Sequence, residues 1–598
     1  MSEVKTRQEI SVSDTWDTES IYKTSADYEQ DMKRVESLIA PLQALRGKLD
    51  SSSTVAEAFH LEDELGLLLD RLHLYAHMLE DQDTAVSENQ ARMSALRGLF
   101  AQIQGDLAWI APEILDQAED TLTTWRDAPE MLPYRRSMDL LIRQKPHVLS
   151  TEAETILGLA GDILDTPHQA FSMRSNADMT FEDAVDSEGK PYSVTNGSYG
   201  PLTESRDRTL RQSAFTSIHK AYAAHRNSIA TLMSGTTKTH ALEANLRHHG
   251  SALEAALFPD NVPATVYHAL VEAVHESLPI YHEYVALRGR RLGLTDLNMW
   301  DMRVPIVPEI EIKVSWEQCR EWVLDSLRPL GEEYCTAAAS AFDERWFDIW
   351  ENQGKKSGAY STGAYGQKPF MLLNYHGTLN DVFTVAHELG HSMHTWMSQK
   401  NQPYRYSGYP IFLAEIASTT NEALLLHHLL VITDNPKLKA SLLNHHCEAT
   451  RGTLYRQTML AEFELELHRR AEAGEPLTAE ALHACYYELN AQYQGPAVQA
   501  DELIGHEWLR IPHFYYNFYL YKYATGFSAA QVFAQRILEG GTSRDAYLEL
   551  LRSGCSLDPL DAVQRAGVDL SNAAVVRQAF ALFHESLKKL DTALAAMD

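Results

Sequence analysis

The chain has 598 residues, a formal net charge of −30, and 44% hydrophobic against 22% charged residues. That balance describes a globular protein with length for a large core or several subdomains, and the acidity disfavours nucleic acid and anionic membrane as partners. No apolar stretch is long enough to span a bilayer, and the polar segment from Met1 to Ile21 lacks the apolar region of a secretory signal. Cys319, Cys335, Cys447, Cys485 and Cys555 are scattered and contain no Cys-x-x-Cys pair, which reads as reduced thiols in a cytoplasmic protein.

From Ala26 to about Trp125 the pattern is helical. Leu61, Leu65, Leu68, Leu72 and Leu79 recur near helical spacing, as do Met93, Leu96, Phe100, Ile103 and Leu107. The turn signal Asp81-Gln82-Asp83-Thr84 between them predicts an antiparallel helix pair. Polar breaks at Arg126–Pro133 and Lys145-Pro146 open a second helical segment reaching about Ala170. Between Met179 and Val194, alternation and the turn Glu188-Gly189-Lys190-Pro191 predict a small β-hairpin. Helical patterns resume at Ser205 and run to about Leu292, broken near Pro259 and Pro263. Pro305, Ile306, Pro308 and Ile310 read as irregular or short-strand, and helices follow over Ser315–Arg328 and about Glu332–Asp343. Gly358 to Gly366 reads as a mobile loop of three glycines and two tyrosines, and Pro369–Tyr375 as a buried strand. A helix then starts near Asn380 or Asp381, either a good N-cap, and runs to about Gln399.

That helix carries His387-Glu388-Leu389-Gly390-His391. Two histidines four apart lie on one face about one turn from each other, where both imidazoles can grip one Zn²⁺. Glu388 then points into the same space and can take a proton from water that the ion acidifies. Such a short pattern also arises by chance, so its context decides. A hydrolytic zinc takes three protein ligands and keeps one position for water. His394 shares the helix face but stands about 10 Å of axial rise beyond His387, too far for three rings to converge. Glu415, in the next apolar run, closes the site from a second helix. His394 is then left behind the ligands or on the substrate side. Glu422, seven residues beyond Glu415, is placed to accept a hydrogen bond from a ligand imidazole.

Downstream, Pro512 suits a first helical turn, and a helix from there would carry His513, Tyr516, Leu520 and Tyr523 along one side. Peptide hydrolysis needs donors aimed at the developing oxyanion, and an imidazole and phenols are suitable. An aromatic core stripe is the plainer reading of such a segment, and the zinc motif upstream tips the balance away from it.

Together, His387–His391, Glu415 with Ser418 and Glu422, and His513–Tyr523 resemble the thimet oligopeptidase family of zinc metallopeptidases. Ser357-Gly358-Ala359-Tyr360, Arg510–Tyr516 and the early Asp14–Asp17 with Ile21-Tyr22 resemble its oligoendopeptidase F branch. The resemblance implies a mainly α, two-lobed helical shell around a deep channel, with a small sheet beside the zinc helix. It implies one Zn²⁺ on His387, His391 and Glu415, Glu388 as general base, and His513, Tyr516 and Tyr523 as groups binding substrate and transition state. Leu520 stands where the family has a further tyrosine, and Tyr519 and Tyr521 are the candidates to replace it. The expected division is an N-terminal helical region 1–125, a second helical segment with hairpin 126–201, and a catalytic region 202–598. The expected activity is zinc-dependent cleavage of internal bonds in short unfolded oligopeptides. The rivals are a zinc aminopeptidase and a non-catalytic peptide-binding protein on the same scaffold.

Overall fold

The computed structural model describes residues 4–307 and 312–597, so Pro308 and Ile310 lie outside the described residues. The fold is mainly α, with three small sheets among the described residues. Packing divides the chain into two compact units that interleave distant stretches. The first takes Met1–Val148, Ile312–Leu429 and Phe533–Gly567, and the second takes Leu149–Glu311, Leu430–Val532 and Val568–Asp598. Divisions drawn along the chain at residues 125 and 201 follow composition, whereas these units follow contact. Among the described residues, no helix is long and apolar enough to cross a membrane.

In the first unit, helices Ser25–Ala44, Ser52–Gln82 and Ser87–Leu107 build one core. Thr24 and Ser51 start the first two by accepting the amides of Asp27 and Thr54, which satisfies donors the first turn would leave unpaired. The predicted stripes do the packing: Leu65, Leu68, Leu72, Met93, Leu96 and Ile103 are buried, and Leu61, Leu79, Phe100 and Leu107 pack partly buried beside them. Trp16 is buried and donates its indole N–H to Gln82, pinning the N-terminal segment to the second helix.

The unit's sheet has three strands. Phe370–Leu372 is central, parallel to Phe347–Asp348 and antiparallel to Tyr360–Thr362. All three central residues are buried, which is why this strand reads as an apolar run. The segment 358–366, expected to be a loop, contains the edge strand Tyr360–Thr362 between Gly358 and Gly366, both at positive φ. Its glycines mark the two ends of a short strand whose pairing partner lies further along the chain, so local composition hides it.

In the second unit, the predicted hairpin forms with Ala184 opposite Tyr192 and Val185 opposite Pro191. Helices Arg208–Ala223, Arg226–Leu246 and Ala264–Leu292 follow as expected. The predicted helix through Pro512–Tyr523 does not form. A short 3-10 turn, Pro512–Tyr515, is followed by Asn517 at φ 47° and Phe518 at φ 58°, and an α-helix begins only at Tyr521. A continuous helix would give the Phe518 amide to the carbonyl four residues back. Instead it donates to Oε1 of the buried Glu464 at 2.7 Å. Two adjacent left-handed residues with side chains cost about 1–2 kcal/mol each, so the distant carboxyl and the packing around it hold this turn.

Candidate metal centre

The helix Leu379–Asn401 starts two or three residues earlier than expected. Thr378 is the N-cap, and the Asp381 carboxylate accepts the Thr378 amide N–H, so Asp381 closes a capping box instead of opening the helix. From that fixed start, helical period carries His387, Glu388 and His391 inward. The partner helix Ile411–Ile432 brings Glu415, Ser418, Asn421 and Glu422.

The two helices meet at Gly390. A Cβ there would stand 2.6 Å from Cα of Ser418 and 2.8 Å from the Ala417 carbonyl oxygen, so only glycine lets the backbones approach this closely. Asn421 locks the approach, donating to the Ala386 carbonyl at 3.3 Å and accepting from the Tyr334 hydroxyl at 3.0 Å. Neither Gly390 nor Asn421 was singled out by the sequence reading. Gly390 sits inside the pentapeptide, where a glycine in mid-helix is itself a sign of close approach.

This packing gathers the ligand set. One donor atom each from His387, His391 and Glu415 lies within 4.8 Å of the others. Nε2 of His387 is 3.2 Å from Nε2 of His391 and 3.6 Å from Oε2 of Glu415. Nδ1 of His387 meets Glu422 Oε1 at 2.6 Å, which orients the ring and points Nε2 into the cluster. The Ser418 hydroxyl donates to Glu415 Oε2 at 3.2 Å and steadies that carboxylate. Two imidazole nitrogens and one carboxylate oxygen are a donor set that suits zinc.

Electrostatics separate the groups. Burial, reinforced by Glu415 and Glu422 against the opposing charge of His387, raises the Glu388 carboxyl to about 7. Burial works against charge on His387, but Glu422 first, then Glu388 and Glu415, lift it to about 9. Burial and the neighbouring His387 push His391 down to about 3. The edge strand adjoins this helix, with Ser361 Oγ 2.8 Å from Ser392 Oγ and the Ser361 amide favouring ionised Glu388.

His394 is fully buried with neither ring nitrogen hydrogen-bonded, and its ring stacks on Tyr409 at 3.6 Å. Tyr409 in turn donates to the His391 carbonyl at 3.2 Å, so His394 reaches the cluster through packing.

His513, Tyr516 and Tyr523 belong to the second unit and gather there around the left-handed turn. His513 lies 5.6 Å from Tyr516 and 6.1 Å from Tyr523 between ring centroids. Tyr519 joins them, 6.3 Å from His513 and 5.2 Å from Tyr523, while Leu520 and Tyr521 are buried. Of the two candidate replacements, Tyr519 therefore shares the aromatic cluster and Tyr521 faces the core.

Comparison with known proteins identifies the family. The model of peptidase family M3 matches residues 201–582, and that of oligopeptidase F matches 113–181. The chain belongs to peptidase family M3. It is 40% identical to oligopeptidase PepF of Bacillus subtilis (strain 168) over 98% of this chain and 88% of that protein. It is 38% identical to an oligoendopeptidase F homolog of Lactococcus lactis subsp. lactis (strain IL1403), covering 98% of each. The crystal structure of oligoendopeptidase-F from Enterococcus faecium superposes with a TM-score of 0.75 at 33% identity, over 96% of this chain and all of that one. Membership in family M3 makes the chain a peptidase.

Proposed function

We propose that this M3 peptidase is a zinc-dependent endopeptidase that cleaves internal bonds of short, unfolded oligopeptides. The observation that carries the reading is the convergence of His387, His391 and Glu415 within 4.8 Å, beside the buried carboxyl of Glu388. These three residues would hold the ion. When bound, zinc supplies a Lewis acid that acidifies water and polarises a peptide carbonyl. Glu388 accepts the proton from the attacking water and returns it to the leaving amine. Burial, which raises the Glu388 carboxyl, favours its taking up that proton. Glu422 keeps His387 in the ligating orientation. His513, Tyr516 and Tyr523, with Tyr519 beside them, serve as donors to substrate and to the developing oxyanion. The edge strand Tyr360–Thr362 offers backbone groups to an extended peptide next to Glu388.

The printed names of the relatives, oligopeptidase and oligoendopeptidase, support the oligopeptide class. The region 202–598 is assigned the chemistry, and the five free cysteines fit a cytoplasmic enzyme. The test is mass spectrometry of digests of a peptide blocked at both ends, with and without chelator. Internal cleavage that chelator stops and added zinc restores is expected. An intact peptide under all conditions would defeat the reading in favour of an aminopeptidase or a binding protein.

A further inference from the structure

Around Tyr199 the second unit sets three arginines, Arg303, Arg456 and Arg510, against one carboxylate, Glu507. Glu507 is buried and already saturated: Arg456 donates to both its oxygens at 3.2 and 2.9 Å, and the Tyr486 hydroxyl donates at 2.8 Å. Arg510 comes only to 4.0 Å of that carboxylate, and its guanidinium lies over the Tyr199 ring at 4.6 Å. Nε of Arg510 is buried with no hydrogen-bond partner. Arg303 approaches the next residue of the same turn, its Nη1 lying 3.3 Å from where a side chain on Gly200 would begin. Arg303 is solvent-exposed and has no ion pair or hydrogen bond among the described residues.

The three guanidinium groups converge. The Tyr199 hydroxyl feels Arg510, Arg303 and Arg456 together, with Glu507 the one carboxylate among them. Arg303 reaches solvent, yet burial first and Arg456 second hold its pKa below the ordinary arginine value, the mark of a recess shared by like charges. His513 stands three residues beyond Arg510, and after burial it is Arg456 that disfavours its charged form. A protein of net charge −30 thus keeps a surplus of positive charge beside its candidate substrate-binding histidine. Neutralising Glu507 requires only Arg456. An exposed, unpaired arginine in a cationic recess is a ready donor for a planar anion, with charge-assisted bonds from a rigid fork.

We propose that Arg303, with Arg456 and Arg510 behind it, forms a carboxylate-binding subsite that takes the C-terminal carboxylate of the peptide. This rests on the oligopeptidase reading above. Every linear peptide carries that group whatever its sequence, so one fixed cationic recess serves many substrates. An acidic side chain has the same chemistry, and the experiment separates the two sources.

Three peptides of one length are compared. The first has a free C-terminus and no acidic residue, the second is its C-terminal amide, and the third is the amide with one Asp introduced at successive positions. kcat and KM are measured for the wild type, Arg303→Met and Arg303→Lys. Equilibrium binding to the same peptides is measured in a Glu388→Gln background. In the wild type, amidation is expected to raise KM about tenfold, the scale of one charge-assisted contact. Arg303→Met collapses the acid-over-amide ratio towards one, and Arg303→Lys retains part of it. An unchanged ratio in Arg303→Met overturns the subsite. A dependence on Arg303 confined to the Asp-bearing amides overturns the C-terminal assignment. If the wild type cleaves none of the three, the oligoendopeptidase reading has failed. Binding that weakens on amidation while cleavage is absent would leave the subsite standing without it.

Discussion

His387 and His391 reach the same point because one helical period puts them there, whereas His513, Tyr516, Tyr519 and Tyr523 gather because the backbone leaves the helical path between them. In the first unit the metal helix runs unbroken from its Thr378 cap, and its neighbour approaches because Gly390 has no side chain. In the second unit the turn at Asn517 and Phe518 is stapled by Glu464, which lies on another helix, Arg456–Glu472. The first arrangement depends on regularity and on one missing Cβ. The second depends on a local irregularity that a remote carboxyl sustains. Each should therefore fail in its own way.

The sharpest break is chemical. Glu388→Gln should lower kcat about 10²–10⁴-fold while leaving metal content intact by elemental analysis. Near-normal turnover would remove Glu388 from its role as base. Next comes the orientation of the metal ligand. Glu422→Ala frees the His387 ring and is expected to weaken zinc binding about 10–100-fold in competition with a chromogenic chelator. Unaltered affinity would mean that packing alone orients the ring. The helix approach is tested by Gly390→Ala, where the added methyl meets Ser418 backbone. The expected loss is about 1–3 kcal/mol by denaturant unfolding, with metal affinity falling alongside. Stability lost without any change in metal affinity would separate the close approach from the site.

The remaining test sharpens the other side of the comparison. Burial, partly countered by the Phe518 amide, raises the Glu464 carboxyl from 4.5 to about 8. The folded protein therefore holds a proton that the unfolded chain has released. Its contribution is fully present below about 4.5 and is lost as pH rises through about 8, with a slope of about 1.4 kcal/mol per pH unit at most. Glu464→Gln keeps an acceptor for the Phe518 amide and cannot ionise. It should match the wild type in acid and become the more stable of the two towards pH 8. Parallel stability curves for the two proteins would show that Glu464 does not titrate in this window.

The legible parts of the fold were those with a period. The leucine stripes of Ser52–Gln82 and Ser87–Leu107 and the hairpin at 184–192 announced themselves, because burial on one face imposes a repeat on adjacent residues. The pentapeptide was legible for the same reason, Glu415 as a carboxylate on the following helix, and Glu422 by its seven-residue spacing from Glu415. The edge strand at Tyr360–Thr362 was not, since a three-residue strand pairing with Phe370–Leu372 leaves almost no pattern of its own. The helix expected through Tyr523 misled because its spacing was sound and its obstacle lay elsewhere. Nothing near Phe518 announces that its amide is taken by Glu464, fifty-four residues earlier.

The amino-acid sequence by itself determined the helical class, the family and the candidate metal-binding pentapeptide, since these are written in residue types at short, regular spacings. Only the tertiary structure decided the close approach at Gly390, the left-handed turn at Asn517 and Phe518, Tyr519 over Tyr521 in the aromatic cluster, and the convergence of Arg303, Arg456 and Arg510. Each of these joins groups far apart in the chain, and a contact between distant segments is fixed by packing, which no local repeat encodes.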